Sequence, residues 1–205
     1  MGKGRIMLVA GTVLAGGLAV TAMGGGSRAD AGSTRVRVHD SNGARVGSVR
    51  FGEDDGTTTV RVELQFDPAK VATNAFHGFH LHANDDPANG VGCIADPAAA
   101  ATTWFTSADG HWKLAGQAHG AHDGDLFSLY VNGDGSATAR FETDRFQVDE
   151  LAGRAVVIHA GPDNFGNVPT GTAANQYTAN AADATTLTAN TGNAGARIAC
   201  GVVGR

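Results

Sequence analysis

The run Val60-Arg61-Val62-Glu63-Leu64-Gln65-Phe66 alternates apolar and polar side chains without a break. Successive side chains of a β-strand point to opposite faces, so this pattern fits a strand buried on one side and wet on the other. Arg35-Val36-Arg37-Val38 repeats it. Another such stretch, 45–51, follows Asp40-Ser41-Asn42-Gly43, whose Asn-Gly pair marks a hairpin turn. Further strands are expected at 76–83, 126–131, 136–142, 154–160 and 197–203. Asn132-Gly133-Asp134-Gly135 forms a tight turn between two of them. No segment shows a clear 3.6-residue period. Thirty Gly against three Lys (Lys3, Lys70, Lys113) agree with strands and loops rather than helices. About eight short antiparallel strands that must each bury one face close into a sandwich or flattened barrel, an all-β fold.

The chain of 205 residues fits one domain, or two small ones at most. Its net charge of −5 excludes a basic nucleic-acid binder as a reading of the whole chain, so no nucleic-acid partner is expected. Lys3 and Arg5 precede an apolar stretch, Ile6 to Met23, followed by Gly24-Gly25-Gly26-Ser27 and Ala29-Asp30-Ala31. A basic start, an apolar centre and an A-x-A site describe a secretory signal peptide, residues 1–31, leaving 32–205 as the mature domain. A retained membrane anchor is the alternative, but abundant Gly and the cleavable ending favour export. The mature part contains no other long apolar run, so no membrane partner is expected after cleavage. Cys93 and Cys200 are the only cysteines. An even count in an exported chain points to one disulfide, with two free thiols as the alternative.

Two connections, about 84–125 and 161–196, are far longer than usual, and loops of this length are uncommon unless they carry function. Ala95–Ala101 and Asn175–Ala184, rich in Ala and Asn, read as loop. The histidines and both cysteines lie in or beside these connections.

His77-Gly78-Phe79-His80-Leu81-His82 places His80 and His82 on one face of a strand. There they can chelate one ion while Leu81 packs inward; a pair of exposed strand histidines would look the same. His111, His119, His122 and Asp125 offer three imidazoles and a carboxylate within fifteen residues, a set that suits zinc. The alternative is a polar loop with incidental histidines. His159 ends the apolar run Val156-Val157-Ile158 and can join the first pair, or be a rim histidine. Asp163 can orient a metal-bound imidazole through its far nitrogen, or make an ordinary Asx turn. Arg197, three residues before Cys200, can bind a small anion, or be a surface arginine.

Together the segments HGFHLH, GHW followed by HGAHDGDL, VVIHAGPDN and TGNAGARIACGVVG, in this order over residues 77–203, resemble the copper,zinc superoxide dismutases of the exported bacterial type. The resemblance implies an eight-stranded Greek-key barrel of antiparallel, immunoglobulin-like character. It implies copper ligands at His80, His82 and His159 and a ligand at His111 bridging copper and zinc. The remaining zinc ligands would be His119, His122 and Asp125. Asp163 resembles the carboxylate that ties the two metal sites together through their histidines. Arg197 resembles the anion-guiding arginine, Thr191 the threonine that narrows its channel, and Cys93–Cys200 the intrasubunit disulfide. His77 resembles a structural histidine, and His39 matches nothing. Two departures stand out: a very short spacing between His119 and His122, and Trp112 where most members have Phe or Tyr. Copper-only members exist, so the short loop bears directly on zinc.

The implied activity is dismutation of superoxide at a copper site that cycles between two oxidation states, outside the cytoplasm: periplasmic, secreted or at the cell envelope. The partner is then the small anion superoxide, and His111 would carry a proton in the reaction. Exported members occur as dimers and as monomers, which leaves a homodimer open. The stretch 161–196 has no Lys or Arg, so Arg197 is the one positive charge the motifs put at the site, with Lys113 or Lys70 as other sources of steering. Two other readings compete. A copper-buffering β-sandwich would need neither Arg197, Thr191 nor a bridging His111. An adhesive immunoglobulin-like domain would explain the strands and a disulfide but not the ligand spacing.

Overall fold

The computed structural model describes Met1, residues 32–164 and residues 184–204. The expected signal peptide, apart from Met1, and most of the Asn-rich stretch 175–184 therefore lie outside the described residues. Among the described residues nine strands are present: β1 (Ser33–Asp40), β2 (Arg45–Asp54), β3 (Thr57–Gln65), β4 (Ala75–His77), β5 (Phe79–His82), β6 (Leu129–Val131), β7 (Ser136–Thr143), β8 (Ala155–His159) and β9 (Arg197–Val202). All pair antiparallel. Seven form one sheet in the order β5-β8-β9-β1-β2-β3-β7, and β4 pairs with β6 in a small second sheet.

The alternation sets the burial. Val36, Val49, Phe51, Val60, Val62 and Leu64 turn inward and are buried, while Arg35, Arg37, Arg61 and Glu63 face solvent. Each buried aliphatic or aromatic side chain contributes roughly 1.5–3 kcal/mol relative to exposure. The expected turns are present: Gly43 N–H donates to the Asp40 carbonyl at 3.0 Å, and Gly135 N–H to the Asn132 carbonyl at 2.9 Å.

The structure corrects two expectations. The strand foreseen at 76–83 is two strands in different sheets, broken at Gly78. There Gly78 N–H donates to Gly161 (2.7 Å), and His159 N–H donates to the Gly78 carbonyl (2.8 Å). A Cβ at Gly78 would come 2.8 Å from Cβ of Ala194, so only glycine lets these segments meet. The second correction is α1 (Ala184–Thr191), a helix inside the second long connection, whose first residue, Ala184, belongs to the Asn-rich stretch expected to be loop. Its Ala, Thr and Asn residues carry no apolar stripe for the eye to find.

The first long connection returns along the free edge of β5. Leu81 N–H donates to Gly124 (2.8 Å), Trp112 N–H to Leu81 (2.8 Å) and Ala83 N–H to Gly110 (2.9 Å). His80 thereby faces Asp125, and His82 faces His111, as isolated bridges. Trp112 fills the core beside Phe146 at a ring separation of 5.9 Å, which gives the unusual tryptophan a packing role. Cys93 and Cys200 form the expected disulfide, with Cα atoms 5.6 Å apart and a sequence separation of 107. It ties the connection to β9 over a small core of Phe105, Ala108, Ala155, Val157 and Val202. Among the described residues no helix is long and apolar enough to cross a membrane.

Candidate metal centre

β5 supplies His80 and His82, and its partner β8 supplies His159 at its end. The edge segment beside β5 supplies His111. One ring nitrogen from each of these four buried histidines falls within 4.8 Å of the other three. The opposite nitrogens are already engaged. His80 Nε2 donates to Asp163 Oδ2 (2.7 Å), His82 Nδ1 to the Asp109 carbonyl (2.7 Å) and His159 Nδ1 to the Gly195 carbonyl (3.1 Å). These acceptors fix the tautomers. They leave His80 Nδ1 buried without a hydrogen-bond partner, as is His111 Nε2. They also aim His82 Nε2 and His159 Nε2 at each other across 3.4 Å.

Electrostatics favour lone pairs over protons here. Burial, then the neighbouring His111, lowers the pKa of His82 well below its ordinary value. Burial, then His80, does the same to His159. Burial and His80 push His111 down to about 3 against the pull of Asp125. Neutral imidazole is the form that ligates a metal.

The second group, His111, His119, His122 and Asp125, meets the same 4.8 Å limit. The Nδ1 atoms of the three histidines lie 2.7, 3.3 and 3.2 Å from one oxygen, Asp125 Oδ1. A tetrahedral ion with bonds of about 2.0–2.1 Å has donor edges of about 3.3 Å, so an N3O set at these separations fits zinc. The short spacing closes because of how the chain turns. Asp125 Oδ2 accepts from the backbone N–H of Gly120 (2.6 Å) and His122 (3.1 Å), which leaves Oδ1 to the imidazoles. Burial opposes the charge on Asp125, but hydrogen bonds to His111 and His119 hold its carboxyl well below the usual range.

Asp163 joins the groups. Its Oδ1 accepts from His119 Nε2 at 2.7 Å while its other oxygen takes His80. Burial works against the charges here too. Hydrogen bonds to His119 and His80 nevertheless bring Asp163 down to about 2, and those to Asp125 and Asp163 raise His119 to about 9. Both groups that could hold a metal ion are thus oriented by acceptors behind them.

Arg197 opens β9 opposite His159. Its guanidinium donates to the carbonyls of Phe105 and Asp109. Burial brings its pKa down to about 10. Thr191 ends α1, directly before Gly192. His77 is occupied on both nitrogens by the carbonyls of His159 (2.7 Å) and Ala72 (2.8 Å), so it has none to offer a metal. His39, half-buried on β1, belongs to neither group.

Three residues of the site went unread in the sequence. Asp109, at φ 63° and ψ −160°, holds a backbone conformation that glycine ordinarily takes. Its carboxylate accepts from the N–H of Asp85 (2.6 Å) and Asp86 (2.8 Å) and from Asn89 Nδ2 (2.7 Å). Arg145 donates to the carbonyls of His122 (2.7 Å) and Gly120 (3.1 Å), clamping the short loop from outside. Gly192, at φ 64°, lies against Asp163, and a Cβ there would collide with the carboxylate. Only Gly192 carried a signal, as part of a glycine-rich approach to a strand.

A family model described as copper/zinc superoxide dismutase (SODC) matches residues 45–203. A superoxide dismutase [Cu-Zn] of Mycolicibacterium paratuberculosis is 36% identical over 183 residues, 86% of this chain and 76% of that protein. One of Mycobacterium tuberculosis is 39% identical over 168 residues, 80% of this chain and 66% of that protein. Among solved structures, the Cu/Zn superoxide dismutase from Brucella abortus is similar with a TM-score of 0.58 and 25% identity. That match covers 83% of this chain and 98% of the other.

Proposed function

The chain belongs to the copper/zinc superoxide dismutase family and dismutates superoxide with copper and zinc as its metals, and we propose that the two histidine groups are where those metals are held. Copper would be bound by His80 Nδ1 and by Nε2 of His82, His111 and His159. Zinc would be bound by Nδ1 of His111, His119 and His122 and by Asp125. The observation that carries this reading is the shared residue: His111 Nδ1 lies 2.7 Å from Asp125 Oδ1 while its Nε2 is buried with no hydrogen-bond partner. When bound, copper supplies one-electron exchange with superoxide, and zinc supplies fixed charge and structure.

The chain's own residues do the rest. Arg197 receives the anion through charge-assisted hydrogen bonds, and its anchorage to two carbonyls limits its freedom before substrate arrives. Thr191 narrows the approach. His111 Nε2 would hold a proton only while its lone pair is not given to copper, and in that form it would donate the proton to the reduced oxygen species. Asp163 keeps His80 and His119 in register, so each metal site supports the geometry of the other. A copper-buffering sandwich would have no use for an arginine posed in this way.

Single-ligand variants test the assignment. His82→Ala and His159→Ala are expected to lose copper and keep zinc; His122→Ala and Asp125→Ala are expected to do the reverse. Loss of the same metal from all four variants contradicts the division.

We also propose export, on the N-terminal pattern of residues 1–31 and the disulfide. A mature N-terminus near residue 32 in protein recovered from outside the cytoplasm is the expected result.

A further inference from the structure

The sheet carries a second charged feature that superoxide dismutation does not use. Arg35 of β1, Arg50 of β2, Arg61 of β3 and Arg140 of β7 are direct cross-strand partners in succession. All four are exposed, on the face opposite the inward row Val36, Val49, Val62 and Ala139. With strands about 4.8 Å apart, they make a file roughly 14 Å long. A groove of about 550 Å³ is lined by all four, with Glu53 and Asp54 also in its wall.

Like charges directly opposite each other destabilise a strand pair. Among the described residues none of the four forms an ion pair; Arg35 donates to Ser48 Oγ at 3.1 Å. A chain of net charge −5 does not place four arginines in line by composition alone. Local rules broken without compensation mark functional positions.

We propose that this file binds an extended, phosphate-bearing polyanion laid across the four strands. Guanidinium forks take phosphate oxygens bidentately, and anions interleaved between them relieve their mutual repulsion. The file is narrow. The next cross-strand row on one side sets Glu63 beside Thr138 with Arg37 at its β1 end, and the row on the other contains Glu142. A thin polymer fits between these carboxylates, whereas a flat anionic membrane would set its headgroups against them. The four strands lie toward the opposite end of the sheet order from β5 and β8, so an occupied file leaves the histidine cluster open. The enzyme could then turn over while held to a polymer.

The test uses the purified protein and an end-labelled linear polyphosphate of about 15 units, followed by fluorescence anisotropy. Saturable binding is expected at low salt, with log K falling against log salt at a slope of about −3, as four contacts on a single-stranded polyanion require. The double variant Arg50→Gln/Arg61→Gln is expected to bind at least tenfold more weakly and with about half the slope. Its superoxide turnover should be unchanged and its Tm not lowered, which separates loss of the site from loss of the fold. Absence of binding by the wild type, or undiminished binding by a folded double variant, overturns the proposal. Equally tight binding of polyglutamate overturns the phosphate assignment. Capture by phosphatidylglycerol vesicles without binding of polyphosphate overturns it in favour of a membrane surface.

Discussion

Arg197 and His82 donate to the same atom, the carbonyl oxygen of Asp109. One peptide group therefore sets both the guanidinium proposed to receive the anion and an imidazole proposed to bind copper. Cys93–Cys200 ties the connection that carries this peptide to β9, the strand that carries Arg197. The position of the arginine relative to the metal is thus built into the backbone.

Replacing Arg197 tests that arrangement. Arg197→Ala is expected to lower kcat/KM for superoxide by about tenfold or more, about 1.4 kcal/mol of transition-state stabilisation, with metal content unchanged. The rate should also lose most of its dependence on ionic strength. Stopped-flow or pulse-radiolysis rates at several salt concentrations measure both. An unchanged, still salt-dependent rate would exclude the guiding role.

Arg145 offers a test that touches no ligand. Its two hydrogen bonds hold the carbonyls of Gly120 and His122, the backbone that lets the short loop close. Arg145→Ala should release zinc to a chelator about 10–100 times faster and leave copper retention close to wild type. Equal zinc loss from both proteins would show that the loop needs no clamp.

Gly192 makes the opposite prediction for the bridge. A methyl group there meets the Asp163 carboxylate, so Gly192→Ala must displace the residue that orients both His80 and His119. Affinity for both metals should fall together, by about 10–100-fold each. Titration of the metal-free protein with each ion in turn gives the two constants. A loss confined to one metal would mean that Asp163 does not couple the sites.

The metal-free protein should also have a defined pH dependence. Asp163 is lowered to about 2, below its unfolded value, so its contribution to stability is present above about pH 4 and is lost as pH falls toward about 2. His119 is raised to about 9, so its contribution is complete below about pH 6.5 and is lost as pH rises through about 9. His82, His111 and His159 are lowered, so below about pH 6.5 the unfolded chain takes up protons that these buried imidazoles refuse, and urea midpoints should be highest near pH 6.5 and fall to either side. Asp163→Asn should flatten both limbs, because it removes one titrating group and one partner of the other. Superimposable profiles would contradict the linkage.

Much of this was legible from residues alone. Strict alternation in Val60–Phe66 announced which side chains of β3 turn inward, because a period of two has only one structural meaning. The candidate ligand residues stand out through their motifs, and the structure brings them within reach of one another across β5, β8 and the edge segment. What stayed hidden acts through the backbone. Asp109 works through its carbonyl, which every residue has, and Arg145 grips carbonyls of a loop it meets only in the fold. The arginine file was hidden for another reason. Each arginine sits in an ordinary alternating strand, and only the register shows that they are neighbours. The helix Ala184–Thr191 escaped because nothing in its composition marks a buried face.

The most direct test of the central claim is metal analysis of the purified mature protein after loading with copper and zinc, with superoxide consumption measured on the same sample. The account predicts one copper and one zinc per chain together with rapid turnover. Copper with turnover but no zinc would contradict the four-donor zinc site of His111, His119, His122 and Asp125. Bound copper without turnover would contradict the enzyme itself.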